Sequence, residues 1–208
     1  MDIHRVYRPL LRRSRRRRMQ RFAERFRPDA ATRILDVGGT AFNWEFLAER
    51  PEVTLLNLAS GDEALPSRFS RVTASGVALP YADASFDIVF SNSVIEHVGD
   101  LEAQRAFAAE LRRVAPRVWV QTPARGFFFE PHLLTPFFHY LPRRWQRRWA
   151  HWGTVWAWLT GASREQAARF VDGTRLLDAA EFASLFPDCT LQRERFLGWT
   201  KSYVVVRD

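Results

Sequence analysis

Apolar positions along the chain fall into short continuous runs separated by amphipathic stretches. Runs of this length, bounded by turn residues, predict buried strands. The predicted strands are residues 33–37, 53–58, a third that begins near residue 69, 86–91 and 117–122. Continuous rather than alternating apolar character is typical of parallel strands that are covered on both faces.

The stretches between these strands carry helix signals. A helix is expected at 44–50, and Asp100 is a good N-cap for a helix whose apolar residues fall on one face. Asp178 and Glu181 form a capping-box pattern at the start of a last helix.

The last part of the chain predicts antiparallel rather than parallel pairing. Segments 190–196 and 202–207 are predicted to pair as a terminal hairpin. The sequence therefore predicts an α/β, Rossmann-like fold: a mostly parallel sheet with an antiparallel terminal hairpin and helices on both faces.

Residues 123–162 interrupt this pattern with a segment rich in aromatic residues and prolines. Such an insertion on the ligand-bearing edge of a sheet is typical of a lid. Its second half predicts one helix on which four tryptophans form a stripe flanked by arginines: Trp145, Trp149, Trp152 and Trp156. Packing of the stripe against the domain is the preferred interpretation, and an interfacial helix at a membrane is the alternative.

The net charge of +8 is confined to the start of the chain. Residues 1–27 contain eleven arginines and two acidic residues, whereas the other residues nearly balance. We therefore predict a basic N-terminal helical arm at 1–28 and a single domain at 29–208. The arm is either a solvated helix that packs its few apolar residues on the domain, or an electrostatic contact for anionic lipid or another polyanion. Nucleic acid is disfavoured because the rest of the chain carries no net positive charge.

A single cysteine, Cys189, excludes an internal disulfide and any metal site built from several cysteines. No apolar run reaches the length of a membrane span. We expect a cytoplasmic protein that can sit peripherally at the inner face of a membrane. The oligomeric state is not predicted.

The stretch from Arg33 to Trp44 predicts a strand, a glycine turn and a helix. Asp36 precedes Gly38 and Gly39, whereas a dinucleotide site has its acid about twenty residues after three glycines. The order of acid and glycines resembles motif I of the class I S-adenosylmethionine-dependent methyltransferases. Thr40 and Phe42 stand where that motif has its later glycines.

Further along, Leu79-Pro80, Ser85-Phe86-Asp87 and Glu96-His97 stand at the spacing of small-molecule, type 11-like methyltransferases. The resemblance covers residues 30–122 with recognisable motifs. It implies methyl transfer from S-adenosylmethionine to a small-molecule or lipid-linked acceptor, with no metal required.

The resemblance also implies which residues bind the cofactor. Asn57 replaces the acid that usually binds the ribose, and Gly76 replaces the acid that accepts from adenine. The implied cofactor-binding residues are Asp36, Gly38, Gly39, Thr40, Asn57, Leu58, Val77, Ala78, Leu79, Asn92 and Ser93.

His97, Glu130 and His132 are the predicted catalytic residues. His97 follows a central strand at the edge where ligands bind, and a pKa near neutrality suits a general base. Glu130 and His132 are expected to face His97 across the acceptor pocket, because alternate residues of an extended segment share a side. The alternative is that these side chains only bond loop and lid backbone groups, the role also expected of Glu96.

Two other classes of function stay open at this point. The altered motif positions suit a non-catalytic binding or scaffold protein of the same fold. A nicotinamide-dependent oxidoreductase is disfavoured by the order of acid and glycines.

Overall fold

The computed structural model describes residues 3–59 and 64–208, with side chains from residue 12 onward. Within these ranges, seven strands form one sheet and two short strands form a separate ribbon. The sheet strands are β1 (Arg33–Val37), β2 (Glu52–Asn57), β3 (Phe69–Thr73), β4 (Ile88–Asn92), β5 (Arg117–Pro123), β8 (Thr190–Phe196) and β9 (Trp199–Arg207). The ribbon pairs β6 (Phe129–Glu130) with β7 (Thr135–Pro136).

The sheet order is β3-β2-β1-β4-β5-β9-β8. The first five strands are parallel, and β9 joins β5 in the antiparallel direction before pairing with β8. The predicted fold class is confirmed. The order reverses between β1 and β4, the kind of position where open α/β sheets bind ligands.

The helices are α1 (Ile3–Phe26), α2 (Leu101–Val114), α3 (Arg143–Gly153), α4 (Val155–Thr160), α5 (Arg164–Asp172) and α6 (Ala179–Leu185). Short 3-10 turns lie at Ala41–Phe46, Ile95–His97 and Phe138–Tyr140. The predicted caps form: Asp100 accepts from the backbone N–H of Ala103, and Asp178 and Glu181 make a reciprocal capping box.

The second half of α1 is part of the core rather than a separate arm. Phe22 is fully buried, and its ring meets Trp44, Phe90 and Trp119 edge to face at 5.4–5.7 Å between centroids. Such pairs add about 0.5–1.5 kcal/mol each beyond the burial of their apolar area. Helix α1 therefore closes one face of the sheet.

Polar contacts hold α1 to the terminal hairpin. Arg18 and Arg21 both bond the carboxylate of Glu194, which also accepts from the Ser202 hydroxyl. Arg18 and Glu194 are buried, with 6% and 9% of their side chains exposed. Burial alone would raise the pKa of Glu194, but the two arginines lower it to about 2.

The prediction of a helix at residues 44–50 is wrong. The chain forms only the 3-10 turn Ala41–Phe46 and leaves it at Leu47 in extended conformation. The buried Trp44 and Phe22 of α1 fill the face of the sheet that a longer helix would cover. Pro51 also disfavours helical geometry at the residue before it.

The prediction of a single helix in the lid is also wrong. Thr154 is extended and separates α3 from α4, and it caps α4 by accepting from Ala157. The buried side of α3 contains Gln146 and Ala150, whereas Trp149 and Trp152 are exposed. The preferred interpretation therefore holds for only part of the stripe: Trp156 stacks on Phe170 of α5 at 4.6 Å between ring centroids, whereas Trp149 and Trp152 do not pack against the domain.

Within residues 3–59 and 64–208, no helix combines the length and apolar character needed to cross a bilayer.

Replacing Glu194 by Gln should destabilise the fold by roughly 3–5 kcal/mol at pH 7, because it leaves the buried Arg18 without its counter-charge. Since the folded pKa of Glu194 is about 2 against an ordinary 4.5, this stabilisation is present above pH 4.5. It is lost as the pH falls through about 2, where a protonated glutamate resembles glutamine. Urea unfolding of both proteins at pH 7 and pH 3 measures the difference, which should shrink at pH 3.

Glu165→Gln is the matched control. Glu165 pairs with Arg169 on the exposed side of α5, where such pairs contribute under about 1 kcal/mol. Equal effects of the two substitutions at pH 7 would contradict the role given to the buried pair.

Candidate functional site

The carboxyl ends of β1, β2, β3, β4 and β5 meet at one edge of the sheet, which we call the ligand edge. The glycine turn after β1 lies at its centre. Gly38 has φ +77°, and a Cβ there would lie 2.5 Å from a methyl carbon of Val94. A Cβ on Gly39 would overlap the Asp36 carboxylate, at 1.9 Å from Oδ2. Close packing of the turn thus requires both glycines, and the positive φ of Gly38 favours glycine there as well.

Asp36 supports the turn from below. Its side chain is fully buried, and its Oδ2 accepts from the indole N–H of Trp44 at 2.8 Å. Its Oδ1 is buried and has no hydrogen-bond partner. Burial raises the pKa of Asp36 to about 7, although the Trp44 bond and the charge of Arg15 lower it in part. The carboxyl is therefore a positioning group under the turn.

Other predicted cofactor residues at this edge also bond to protein groups. The Asn57 amide donates to the carbonyl of Gly39 at 3.0 Å, so it ties β2 to the glycine turn. Ser93 has φ +58° and donates to the Gln121 side chain at 3.0 Å. Asn92 accepts from Arg18 of α1. Leu58 and Thr40 are exposed.

The segment after β3 has no room for the missing adenine-binding acid. A Cβ on Gly76 would lie 2.6 Å from the Phe107 ring of α2. The N–H of Ala78 bonds the Ser75 carbonyl, and the N–H of Leu79 bonds Glu110 at 2.7 Å. Of the predicted cofactor-binding residues in this segment, Ala78 and Leu79 therefore have bonded backbone N–H groups, and the Val77 N–H has only a 3.4 Å contact to the Ser75 hydroxyl.

Sequence reasoning missed the basic side chains that α1 brings to this edge. The Arg15 guanidinium lies 5.3 Å from the centre of the Phe42 ring and 3.4 Å from Asn43. Arg12 lies over the same ring at 5.9 Å. Phe42 stands where the related motif has a glycine, so α1 and Phe42 cover the turn together. The spacing of Arg15, Met19, Phe22 and Phe26 on one helical face was the available signal.

The three predicted catalytic residues are brought together. His97 Nε2 lies 3.2 Å from His132 Nε2, and His132 Nδ1 lies 2.7 Å from Glu130 Oε1. Glu130 also accepts from the backbone N–H of Leu133. Glu130 is buried, whereas His97 is exposed. Their chemical roles remain predictions.

Glu96 completes this group, which we call the His-Glu cluster. It is fully buried, its Oε2 accepts from the Thr122 hydroxyl at 2.9 Å, and its Oε1 lies 3.6 Å from His132 Nε2. The expectation that Glu96 bonds loop backbone donors is wrong, because its carboxylate points at Thr122 and His132.

The charges and hydrogen bonds within the cluster shift the pKa values of its side chains. Burial alone would lower the pKa of His132, but its hydrogen bond to Glu130 and the nearby carboxylates of Glu130 and Glu96 raise it to about 10. The pKa of Glu130 is lowered, since the His132 and backbone bonds outweigh the effect of burial. The pKa of His97 is lowered, chiefly because surrounding protein atoms desolvate part of the ring, with the charge of Glu96 opposing.

Comparisons with known proteins agree with this geometry. Residues 35–117 match the family model described as "Methyltransferase domain". No curated protein matches the chain significantly.

Solved structures show the same fold. A SAM dependent methyltransferase from Aquifex aeolicus has 12% identity and a TM-score of 0.51, covering 90% of this chain and 87% of its own. A SAM-dependent methyltransferase from Methanosarcina mazei has 13% identity and a TM-score of 0.53, covering 86% and 92%. The 1,6-didemethyltoxoflavin-N1-methyltransferase of Burkholderia thailandensis, solved with S-adenosylhomocysteine, has 16% identity and a TM-score of 0.53, covering 89% and 73%.

The fold is therefore that of known S-adenosylmethionine-dependent methyltransferases, and residues 35–117 match a methyltransferase domain. Such a domain implies S-adenosylmethionine, the predicted cofactor, as the methyl donor. The residues present fit it: the two glycines leave no space for side chains, and Asp36 keeps a buried oxygen without a partner beneath the turn.

Gly39→Ala should raise the dissociation constant of S-adenosylhomocysteine at least about tenfold, because the added methyl displaces the Asp36 carboxylate and with it the turn. Calorimetric titration measures the affinity. Gly126→Ala is the control, since a Cβ at Gly126 meets nothing within 4 Å. Unchanged affinity in a folded Gly39→Ala protein would contradict the assignment.

Proposed function

We propose that the chain transfers a methyl group from S-adenosylmethionine to an acceptor linked to a membrane lipid, while its ligand edge rests on an anionic membrane surface. The observation that carries this proposal is an exposed aromatic surface beside a basic helix, both at the ligand edge.

The aromatic surface combines the lid with the end of the terminal hairpin. Its exposed residues, which we call the aromatic tip, are Phe137, Tyr140, Phe196, Leu197 and Trp199. The less exposed Phe128 connects them, with its ring 6.0 Å from Phe137 and 5.7 Å from Trp199. Leu197, at the turn of the hairpin, is 79% exposed. Contiguous exposed apolar area of this kind marks an interaction surface.

The aromatic tip extends beyond the ligand edge. Strand β9 runs antiparallel to β5, and Ser202 is the partner of Pro123, the last residue of β5. The hairpin turn that precedes Ser202 therefore lies past the carboxyl ends of the parallel strands. This placement supports an acceptor that reaches the site from the surface on which the tip rests.

Positive charge lies next to the tip. Lys201 in β9 donates to the Ser14 hydroxyl of α1 at 2.8 Å, so this part of α1 runs beside the hairpin. The exposed arginines of the same part are Arg12, Arg13, Arg16 and Arg17. Basic residues near an anionic bilayer contribute about 1 kcal/mol each, and aromatic side chains suit the headgroup region. Together these features favour anionic lipid over a neutral protein partner.

The bound cofactor supplies an activated methyl group on a positively charged sulfur. The chain's part is to align the two reactants, which alone can supply effective molarities of about 10⁵–10⁸ M. Arg15, above the glycine turn, would pair with the carboxylate of the methionine portion, and Asn57 would hold the turn through Gly39. The His-Glu cluster would receive the reacting end of the acceptor.

The function is tested by incubating the protein with S-adenosylmethionine labelled in the methyl group and a total lipid extract. Label should appear in the organic phase and depend on the protein. Label that stays entirely in water-soluble products would exclude a lipid-linked acceptor while leaving methyl transfer intact.

Trp199→Ser should weaken binding to vesicles containing phosphatidylserine about tenfold, because it removes a central ring of the aromatic tip. Sedimentation of vesicles measures the bound fraction, and binding should also weaken at high salt. Trp152→Ser is the matched control: Trp152 is 76% exposed, and its ring contacts His151 in the lid. Loss of binding in the control but not in Trp199→Ser would contradict the assigned surface.

His132→Gln should lower turnover by about 10² or more while the affinity for S-adenosylhomocysteine barely changes, since His132 lies in the His-Glu cluster and not at the glycine turn. His151→Gln is the control, because His151 bonds the Ala162 carbonyl elsewhere in the lid. A parallel loss of cofactor affinity and turnover would assign His132 a structural role.

A further inference from the structure

We propose that Glu96, His97 and His132 form a binding site for a first-row divalent cation such as Zn²⁺. This inference goes beyond methyl transfer, because the site is defined by its ligands and can be tested without cofactor or acceptor. Among the described residues, these three were found to bring ligand atoms within 4.8 Å of one another.

The distances fit a small cation. His132 Nε2 lies 3.2 Å from His97 Nε2 and 3.6 Å from Glu96 Oε1. Zinc binds nitrogen and oxygen at about 2.0–2.2 Å in tetrahedral geometry, which places neighbouring ligand atoms about 3.4 Å apart. These two separations lie on either side of this value, and all three ligand atoms lie within 4.8 Å of one another, close enough to share one cation.

An unpaired carboxylate oxygen points to a missing ligand. Glu96 is fully buried, and its Oε1 has no hydrogen-bond partner, whereas Oε2 is held by Thr122. Buried polar atoms nearly always have a partner, and an unpaired carboxylate oxygen is costly. A cation between Glu96 and His132 would satisfy this oxygen.

Glu130 has the position of a supporting group rather than a ligand. Its Oε1 bonds His132 Nδ1 at 2.7 Å, which leaves Nε2 directed at Glu96 and His97. A carboxylate on the far nitrogen of a metal-binding histidine orients the ring and raises its basicity. On His97, Nδ1 lies 3.5 Å from the Thr174 hydroxyl, and Nε2 again faces the proposed cation.

The site has an entry path and an open position. His97 lines a cavity of about 550 Å³ together with Phe170, Thr174 and other residues of the α4 and α5 region. Three protein ligands with a fourth position left to water or substrate are typical of catalytic rather than structural zinc sites. Two imidazoles and one carboxylate suit zinc, iron or manganese better than calcium or magnesium.

The test uses full-length protein freed of metal by a chelator and titrated with Co²⁺, whose visible absorption reports its coordination. We expect one Co²⁺ per chain, displaced by Zn²⁺, with a spectrum of low coordination number. Glu96→Gln and His132→Gln should weaken binding at least about 100-fold. Glu130→Gln should weaken it about 10–100-fold, because it loses only the orienting bond.

His151→Gln should bind like the unaltered protein, since His151 lies outside the cluster. If Glu96→Gln does not fold, the exposed His97 allows the same test in His97→Gln. The proposal is overturned if the unaltered protein binds Co²⁺ no more tightly than His132→Gln, or if the His151 control loses binding equally. Neither outcome depends on methyl transfer, so failure of this site leaves the proposed function untouched.

Discussion

The rest of the structure depends on the packing of Phe22 of α1 into the sheet. Its ring lies among Trp44, Phe90 and Trp119, which come from the turn after β1 and from two central strands. This contact closes one face of the sheet, takes the place of the helix expected after the glycine turn, and fixes where the basic part of α1 runs. The buried Arg18–Glu194 pair then sets the position of α1 against the terminal hairpin.

Each departure from the methyltransferase motif has a local structural counterpart. The Phe42 ring stacks beneath the Arg15 guanidinium. A glycine at this position would remove that contact. Asn57 serves the glycine turn directly, and Gly76 is required because Phe107 leaves no space for a side chain. The altered positions thus describe a glycine turn supported by the protein's own side chains and covered by α1.

The sequence predicts the sheet, its direction and its capped helices well, because buried parallel strands and capping boxes depend on local composition. It also predicts that Glu130 and His132 face His97. It fails where long-range contacts decide. Phe22 of α1 takes the place of the helix expected after β1, and Trp149 and Trp152 are exposed because Gln146 and Ala150 take the buried side of α3. Glu96 was misassigned because its partner Thr122 lies on a neighbouring strand, a contact that no local pattern reports.

The central claim is that S-adenosylmethionine binds at the glycine turn beneath α1. Hydrogen–deuterium exchange with and without S-adenosylhomocysteine tests it most directly. With S-adenosylhomocysteine bound, we predict slower exchange at residues 36–42 and at residues 12–19 together, and little change in the lid ribbon of β6 and β7. Protection elsewhere, or protection of residues 36–42 while 12–19 stays unchanged, would contradict it.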